Sequence, residues 1–264
     1  MGPAAGRPVL FIAGAGTGTS MAFGDDVLHE LGVRLLCADR PGMGGSTPDP
    51  RRTANSTAAD YAAFVAAVLD GSGCPIPVVA NSQGSVFGLE MAAAGRASTL
   101  ALVSPADEVA HPRVRERLPA HTGGLVDLVN SDPSAAADLL HGFTAMDMER
   151  LVLDSASSRD RAVYTDTAFA GRFRTALAEG FAGDGSGYLT DTLIAMSRWD
   201  VDFGSIRTPT TIFFGSDDAA HSPDQGEFLA SRIPTARRRI VPQAGGSLLW
   251  THARQVLLAA DDPR

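Results

Sequence analysis

Val78-Val79-Ala80-Asn81-Ser82-Gln83-Gly84 is the stretch on which the reading of this chain turns. A short apolar run enters a serine flanked by small residues, and a helical pattern, Gln83–Ala94, leaves it. A serine on so sharp a strand-to-helix turn sits in strained backbone. Residues two before and two after must then be small for strand and helix to approach. Here they are Ala80 and Gly84, an A-x-S-x-G form of the G-x-S-x-G elbow. The helix N-terminus would bring the Gln83 N–H beside developing negative charge. The plainer alternative is an ordinary serine in a strand–helix turn, and this stretch alone leaves both open.

Outward from it, short β-type runs alternate with longer helical ones, the pattern of a parallel α/β sheet. Pro8–Ala13, Arg34–Asp39, Pro77–Ala80, Leu100–Val103, Thr210–Phe214 and Arg239–Val241 read as strands. Helical readings fall on Val27–Leu31 and on Thr57–Leu69, where Tyr61, Phe64, Val65 and Val68 share one face. From Asp107 to about Phe203 no strand is legible and several helices are expected, the clearest over Arg161–Phe181 with Phe169, Phe173, Leu177 and Phe181 four residues apart. That stripe either packs an inserted segment onto the main domain or, with Met146, Met148 and Trp199, walls an apolar pocket. Tyr188 and Arg198 find no place in this pattern. There is no internal repeat.

The chain has 264 residues, a net charge of −8 and 22 basic residues, every one of them arginine. A GC-rich bacterial codon usage accounts for such a bias. Without lysine there is no Schiff base, no PLP anchor and no phosphate-loop Gly-Lys. The acidic balance argues against nucleic acid and anionic membranes, which need a basic footprint. Hydrophobic residues make up 44% and charged residues 20%, enough for a real core in one larger α/β domain. Cys37 and Cys74 give no disulfide framework, suit a reducing cytoplasm, and read as small buried hydrophobes. No apolar run approaches a membrane span. The start imitates a secretion signal, but Val9–Ile12 is too short for its apolar core.

Gly14, Gly16 and Gly18, followed by a strand ending in Asp39, also describe a dinucleotide-binding turn. The fit is poor: the fingerprint's third glycine falls at Thr19, and a short-chain dehydrogenase would need a Tyr-x-x-x-Lys pair.

Asp39-Arg40-Pro41-Gly42-Met43-Gly44-Gly45-Ser46 resembles the D-x-R/P-G-x-G-x-S turn of the α/β-hydrolase superfamily, upstream of the elbow as in that family. The resemblance spans nearly the whole chain. It implies a reduced, mostly parallel sheet of about six strands, the family's first two having no counterpart. The core would comprise residues 1–106 and 204–264, and a helical cap residues 107–203. Ala13-Gly14-Ala15 stands where the family has its oxyanion loop, so the backbone N–H groups of Ala15 and Gln83 are the implied oxyanion hole, beside Ser82 as nucleophile. Trp199–Phe203 with Ile206–Pro209 looks like the segment re-entering the sheet. Gly215-Ser216-Asp217-Asp218 resembles the G-x-x-D whose aspartate is the triad acid; Asp218 takes that role, with Asp217 and Asp107 as lesser candidates.

The family's final motif is a glycine-flanked histidine, and here Gly246 occupies its position. A serine hydroxyl needs a base. His221, shortly after Asp218, or His252, in the helix following the vacancy, could replace it. Otherwise the protein performs a non-hydrolytic addition, elimination or cyclisation at the oxyanion site, binds a ligand without turnover, or is a His→Gly variant of a hydrolase. Because Ser82, the elbow, the oxyanion turn and Asp218 are all kept, an enzyme acting on a fairly apolar carbonyl-bearing small molecule is expected, with no cofactor and no metal.

Overall fold

The computed structural model describes residues 1–71 and 75–262; Cys74 lies outside the described residues. The chain runs β1 (Arg7–Ile12), β2 (Val33–Cys37), α1 (Ala54–Val68), β3 (Ile76–Asn81), α2 (Ser85–Ala93) and β4 (Ala97–Val103). Seven helices follow among the described residues: α3 (Pro112–Arg115), α4 (Ala120–Ser131), α5 (Pro133–Leu140), α6 (Ala145–Ser155), α7 (Ser158–Tyr164), α8 (Thr167–Gly180) and α9 (Ser186–Met196). The chain then forms β5 (Thr210–Gly215), α10 (Glu227–Arg232), β6 (Ala236–Val241), α11 (Leu248–Thr251) and α12 (Ala253–Asp261).

The six strands form one sheet in the order β2-β1-β3-β4-β5-β6, and every adjacent pair is parallel. All six expected strands are present within a few residues of the expected bounds. The continuous apolar character of β1, β3, β4 and β5 follows from burial on both faces, whereas the edge strand β6 carries three exposed arginines, Arg237, Arg238 and Arg239. Leu10, Ile12, Val78, Ala80, Leu100 and Leu102 join the core under α1 and α2. Val9, Phe11, Val79, Ala101 and Val103 join the opposite core under α12. β3 lies beside β1 on the side away from β2, so the carboxyl ends of β1 and β3 flank the point where strand order reverses, which is where open α/β sheets bind ligands.

Three helical expectations need correction. Val27–Leu31 forms turns rather than a helix; Val27 and Leu28 are buried by the sheet, which rewards apolar spacing whatever the local backbone. Arg161–Phe181 is two helices, because Asp166 caps a new start by accepting from the N–H groups of Ala168 (3.1 Å) and Phe169 (3.0 Å). α1 begins at Ala54, three residues early, where Thr53 and Ser56 make a reciprocal capping box.

The glycine run after β1 is explained by packing. A Cβ on Gly16 (φ +57°) would lie 2.5 Å from the Phe181 ring, and one on Gly18 would lie 2.4 Å from the Glu179 Cβ. The Gly18 N–H donates to Ala176 O (2.9 Å), and the Ser20 N–H to the Glu179 carboxylate (2.8 Å). These glycines let α8 lie directly on the loop. Asp39 accepts the Thr19 N–H at 2.9 Å and is thereby engaged within the protein. The dinucleotide reading of this turn is set aside on both counts. Among the described residues no helix is long and apolar enough to cross a membrane.

Candidate active site

Ser82 follows directly on β3 and has φ +49°, a left-handed conformation costly for a non-glycine residue. Its carbonyl is held from two directions, by Ser85 Oγ (2.6 Å) and by the Ala106 N–H (3.0 Å). Gly84 is required: a Cβ there would sit 2.4 Å from Ala13 O. Helix and strand meet equally closely at Gly88, where a Cβ would come within 2.8 Å of the Ala80 Cβ. Gly14 lies against Ser82, its Cβ direction ending 3.3 Å from the Ser82 Cβ. Ser82 and Ala15 are both half-buried, and Gln83 is buried with its Nε2 donating to Thr192 Oγ1 (3.4 Å) on α9.

The loops after β5 and β6 are stitched together. Asp217 N–H donates to Ala244 O (2.9 Å), and Ser216 Oγ accepts from the Gln243 N–H (2.9 Å). This places Asp218, buried, beside Gly246. The His221 Nδ1 lies 3.0 Å from each carboxylate oxygen of Asp218. A Cβ built on Gly246 would come 2.8 Å from His221 Cε1 and 3.2 Å from its Nδ1. The imidazole of His221 therefore fills the space that a side chain at position 246 would enter.

A second carboxylate reaches this corner from α7. Asp160 is 5% exposed and accepts from the backbone N–H of Gly246 (3.1 Å) and Ser247 (2.8 Å). Gly245 must lack a side chain for this contact, since its Cβ would lie 2.1 Å from the Asp160 carboxylate. Burial alone would raise the Asp218 carboxyl, but the charge and hydrogen bond of His221 outweigh it and hold the group below the ordinary carboxylate range. For His221 burial favours the neutral ring; Asp218 overcomes that, Asp160 adds to it, and the proton is held above the usual imidazole range. Tyr164 stands nearby, its hydroxyl kept protonated by burial and by the charges of Asp160 and Asp218.

An apolar cluster lies over the glycine turn that follows β1. Met21, Met43, Met148, Phe173, Leu177 and Tyr188 are buried in it, and Ala15 and Trp250 pack against it. Met148 is thus buried in this cluster. Met146 is not: its side chain is 77% exposed, since α6 turns Met148 inward and Met146 two residues earlier away. Trp199 is also not in this cluster; it packs in the core beneath the sheet, stacked on Phe203 with Nε1 donating to Ala195 O (2.9 Å). Arg198 pairs with buried Glu108 at 2.8 Å.

The remaining candidates are elsewhere engaged. His252 opens α12 with its Nδ1 2.9 Å from Thr251 Oγ1. Asp217 is exposed and pairs with Arg159 (3.4 Å). Asp107 is buried, accepts from the Glu108 N–H (2.8 Å) and Ser222 Oγ (3.2 Å), and is pushed up to about 6, chiefly by burial. Cys37 is half-buried in the α12-side core with its thiol pushed up by burial to about 12, which makes it inert. Asp160 and Tyr164 escaped the sequence reading, because nothing local marks a residue 86 positions upstream of Gly246 as its neighbour. Among the described residues no group of three His, Cys, Asp or Glu side chains is gathered for a metal ion.

A family model described as "Alpha/beta hydrolase family" matches residues 9–260. No significant match is found among curated proteins. Of solved structures, the enol-lactonase from Burkholderia xenovorans LB400 superposes with a TM-score of 0.65 at 20% identity, covering 97% of this chain and 90% of that one. The esterase RhEst1 from Rhodococcus sp. ECU1013 gives 0.65 at 17% identity over 100% and 94%. The putative non-heme bromoperoxidase BpoC from Mycobacterium tuberculosis H37Rv gives 0.66 at 21% identity over 97% and 90%. At these identities the likeness concerns the fold.

Proposed function

This chain belongs to the alpha/beta hydrolase family, and from that premise we propose that it hydrolyses an ester or lactone of an apolar small molecule through a triad of Ser82, His221 and Asp218. The observation that carries the proposal is the His221 ring in the volume beside Gly246, with Nδ1 on both oxygens of Asp218. The histidine comes from the acid's own loop, three residues after it, instead of from the loop after β6.

With Nδ1–H donating to Asp218, the tautomer leaves Nε2 as the proton acceptor. Ser82 Oγ attacks the carbonyl carbon while His221 Nε2 takes its proton. The carbonyl oxygen becomes an oxyanion facing the N–H groups of Ala15 and Gln83. Collapse breaks the bond to the alcohol oxygen, which takes the proton from His221, and leaves acyl-Ser82. Water then adds to the acyl carbon by the same route and frees the acid. Residues 107–203 act as the cap, and the cluster around Met148, Phe173 and Tyr188 receives the apolar part of the substrate. Neighbours described as esterase and enol-lactonase share the fold and favour this bond type.

The test compares His221→Ala with His252→Ala on short activated esters, with fluorophosphonate labelling of Ser82 read by intact mass. Loss of a triad base costs on the order of 10³-fold or more in kcat, so His221→Ala should lose most turnover and slow labelling, while His252→Ala stays within about twofold of the parent. A fully active His221→Ala, or a parent protein in which Ser82 neither labels nor turns over ester, overturns the triad.

A further inference from the structure

Arg40 is 2% exposed, and its guanidinium spends its donors on the turn that follows β1. Nη2 donates to Gly14 O at 2.8 Å and Nη1 to Ala13 O at 2.9 Å, with Tyr61 Oη 3.4 Å from Nη1. Nε lies 2.5 Å from Asp191 Oδ2 on α9, and the guanidinium carbon stands 5.4 Å from the centre of the Phe87 ring. The other oxygen of Asp191 is 2.5 Å from Arg52 Nη2. Arg52 itself reaches Gly187 O (3.0 Å) and Thr57 Oγ1 (3.3 Å), with no recorded bond to the oxyanion turn.

The carbonyl of Gly14 and the N–H of Ala15 belong to one planar trans peptide and point in opposite directions. A cation fixed on that carbonyl therefore sets where the N–H aims. It also polarises the peptide so that the N–H is a stronger donor. Resting on the hydrolase reading above, we infer that Arg40 is the positioning residue of the oxyanion hole: it holds the Ala15 peptide from behind, and Asp191 of the cap anchors it there.

Burial works against the charge on Arg40, yet Asp191 and the Tyr61 hydroxyl overcome it and the guanidinium stays protonated. Thr17 Oγ1 supplies a second, neutral donor to the same Gly14 oxygen at 3.2 Å. The inference explains why a motif arginine lies buried beside the site without touching Ser82. It also gives the cap a chemical function, since the carboxylate that fixes the guanidinium belongs to α9.

Arg52 provides a matched control, because Arg40→Lys and Arg52→Lys disturb the same buried Asp191 but only the first disturbs the Gly14 peptide. Both variants should lose similar thermal stability. Misaligning or losing one oxyanion donor costs about tenfold to a thousandfold in kcat. Arg40→Lys should therefore lower kcat on an activated ester by at least tenfold with KM within about twofold, and weaken a trifluoromethyl ketone inhibitor in proportion. Arg52→Lys should leave kcat within about threefold. If Arg40→Lys does not fold, Thr17→Val, which removes only the neutral donor, should show the same signature at severalfold size. Equal kcat losses in the two lysine variants, a change in KM instead of kcat, or an unaltered kcat in Thr17→Val overturns the inference while the hydrolase reading stands. A parent protein without Ser82-dependent turnover overturns both.

Discussion

The two sides of the candidate site solve their problems in opposite ways. On the proposed oxyanion side, Ala15, Ser82 and Gln83 lie on two tight backbone turns that meet at Gly84, where a Cβ would be driven into Ala13 O at 2.4 Å. On the base side the expected residue is missing, and an imidazole from another loop stands in its volume. The difference follows from what supplies each group. Backbone N–H donors are aimed by the path of the chain, so moving them means rebuilding the turn. A side-chain base needs only its ring at the right point, and any loop that can deliver the ring will serve.

The sharpest way to break this contrast is to give position 246 a side chain. In Gly246→Ala the new Cβ would meet His221 Cε1 at 2.8 Å and push the ring from Asp218. A displacement of that order costs roughly a hundredfold, so kcat/KM on an activated ester should fall about that much while the Ala15 side is untouched. Unchanged kinetics would mean that the ring is not the base. The reverse move tests whether the base can be returned. Gly246→His added to His221→Ala has the vacated volume available and should recover at least about tenfold over His221→Ala alone; the same Gly246→His change with His221 present should not gain.

A smaller effect probes the second carboxylate. His221 must lose its proton to act, and that proton is held above the usual imidazole range by Asp218 and Asp160, with Tyr164 the other titratable group at this corner. The acid limb of kcat/KM should accordingly lie above pH 6.5. Asp160→Asn removes one negative charge and should move that limb to lower pH by about half a unit. A limb that stays in place removes Asp160 from the account.

The smallest expected effect on activity belongs to Asp107→Asn. The carboxyl of Asp107 titrates near 6 in the folded protein against 3.8 in the ordinary group. Its contribution to stability is therefore complete below pH 3.8 and is lost as pH rises through 6. Replacing it should raise stability by on the order of 2 kcal/mol at pH 7.5, the gain vanishing near pH 4. Denaturant midpoints at the two pH values measure this. Activity should stay within about threefold; a collapse of kcat would move the acid role from Asp218 to Asp107.

Legibility followed the same division. The six strands, the sharp turn at Ser82 and the Gly84 requirement were readable because each is dictated by near neighbours: short β-type runs, a strand-to-helix turn, a Cβ with no room. Met148 and Met146 could not be told apart, since only the docking of α6 decides which of two methionines faces inward. Trp199 was misplaced because an indole is equally at home in a core and in a pocket wall. The aromatic stripe on α8 was legible; because it begins only at Phe169, it could not reveal the helix boundary at Asp166.

What the sequence by itself determined is therefore the sheet, the sharp turn at Ser82 and the tight glycine turn after β1, all set by local backbone demands. It also determined that position 246 carries no base and, through the absence of lysine, that no amine could take its place. It could nominate His221 and His252 but not choose between them. Tertiary structure sets them apart, because the volume that the His221 ring fills beside Gly246 is defined by segments far apart in sequence, the loops carrying Asp218 and Gly246 and the helix carrying Asp160. The same holds for the two groups behind the site, Arg40 under the oxyanion peptide and Asp160 on the base loop. Both act across distances in sequence that no periodicity records, and each relies on a carboxylate from the helices between β4 and β5, Asp191 on Arg40 and Asp160 itself.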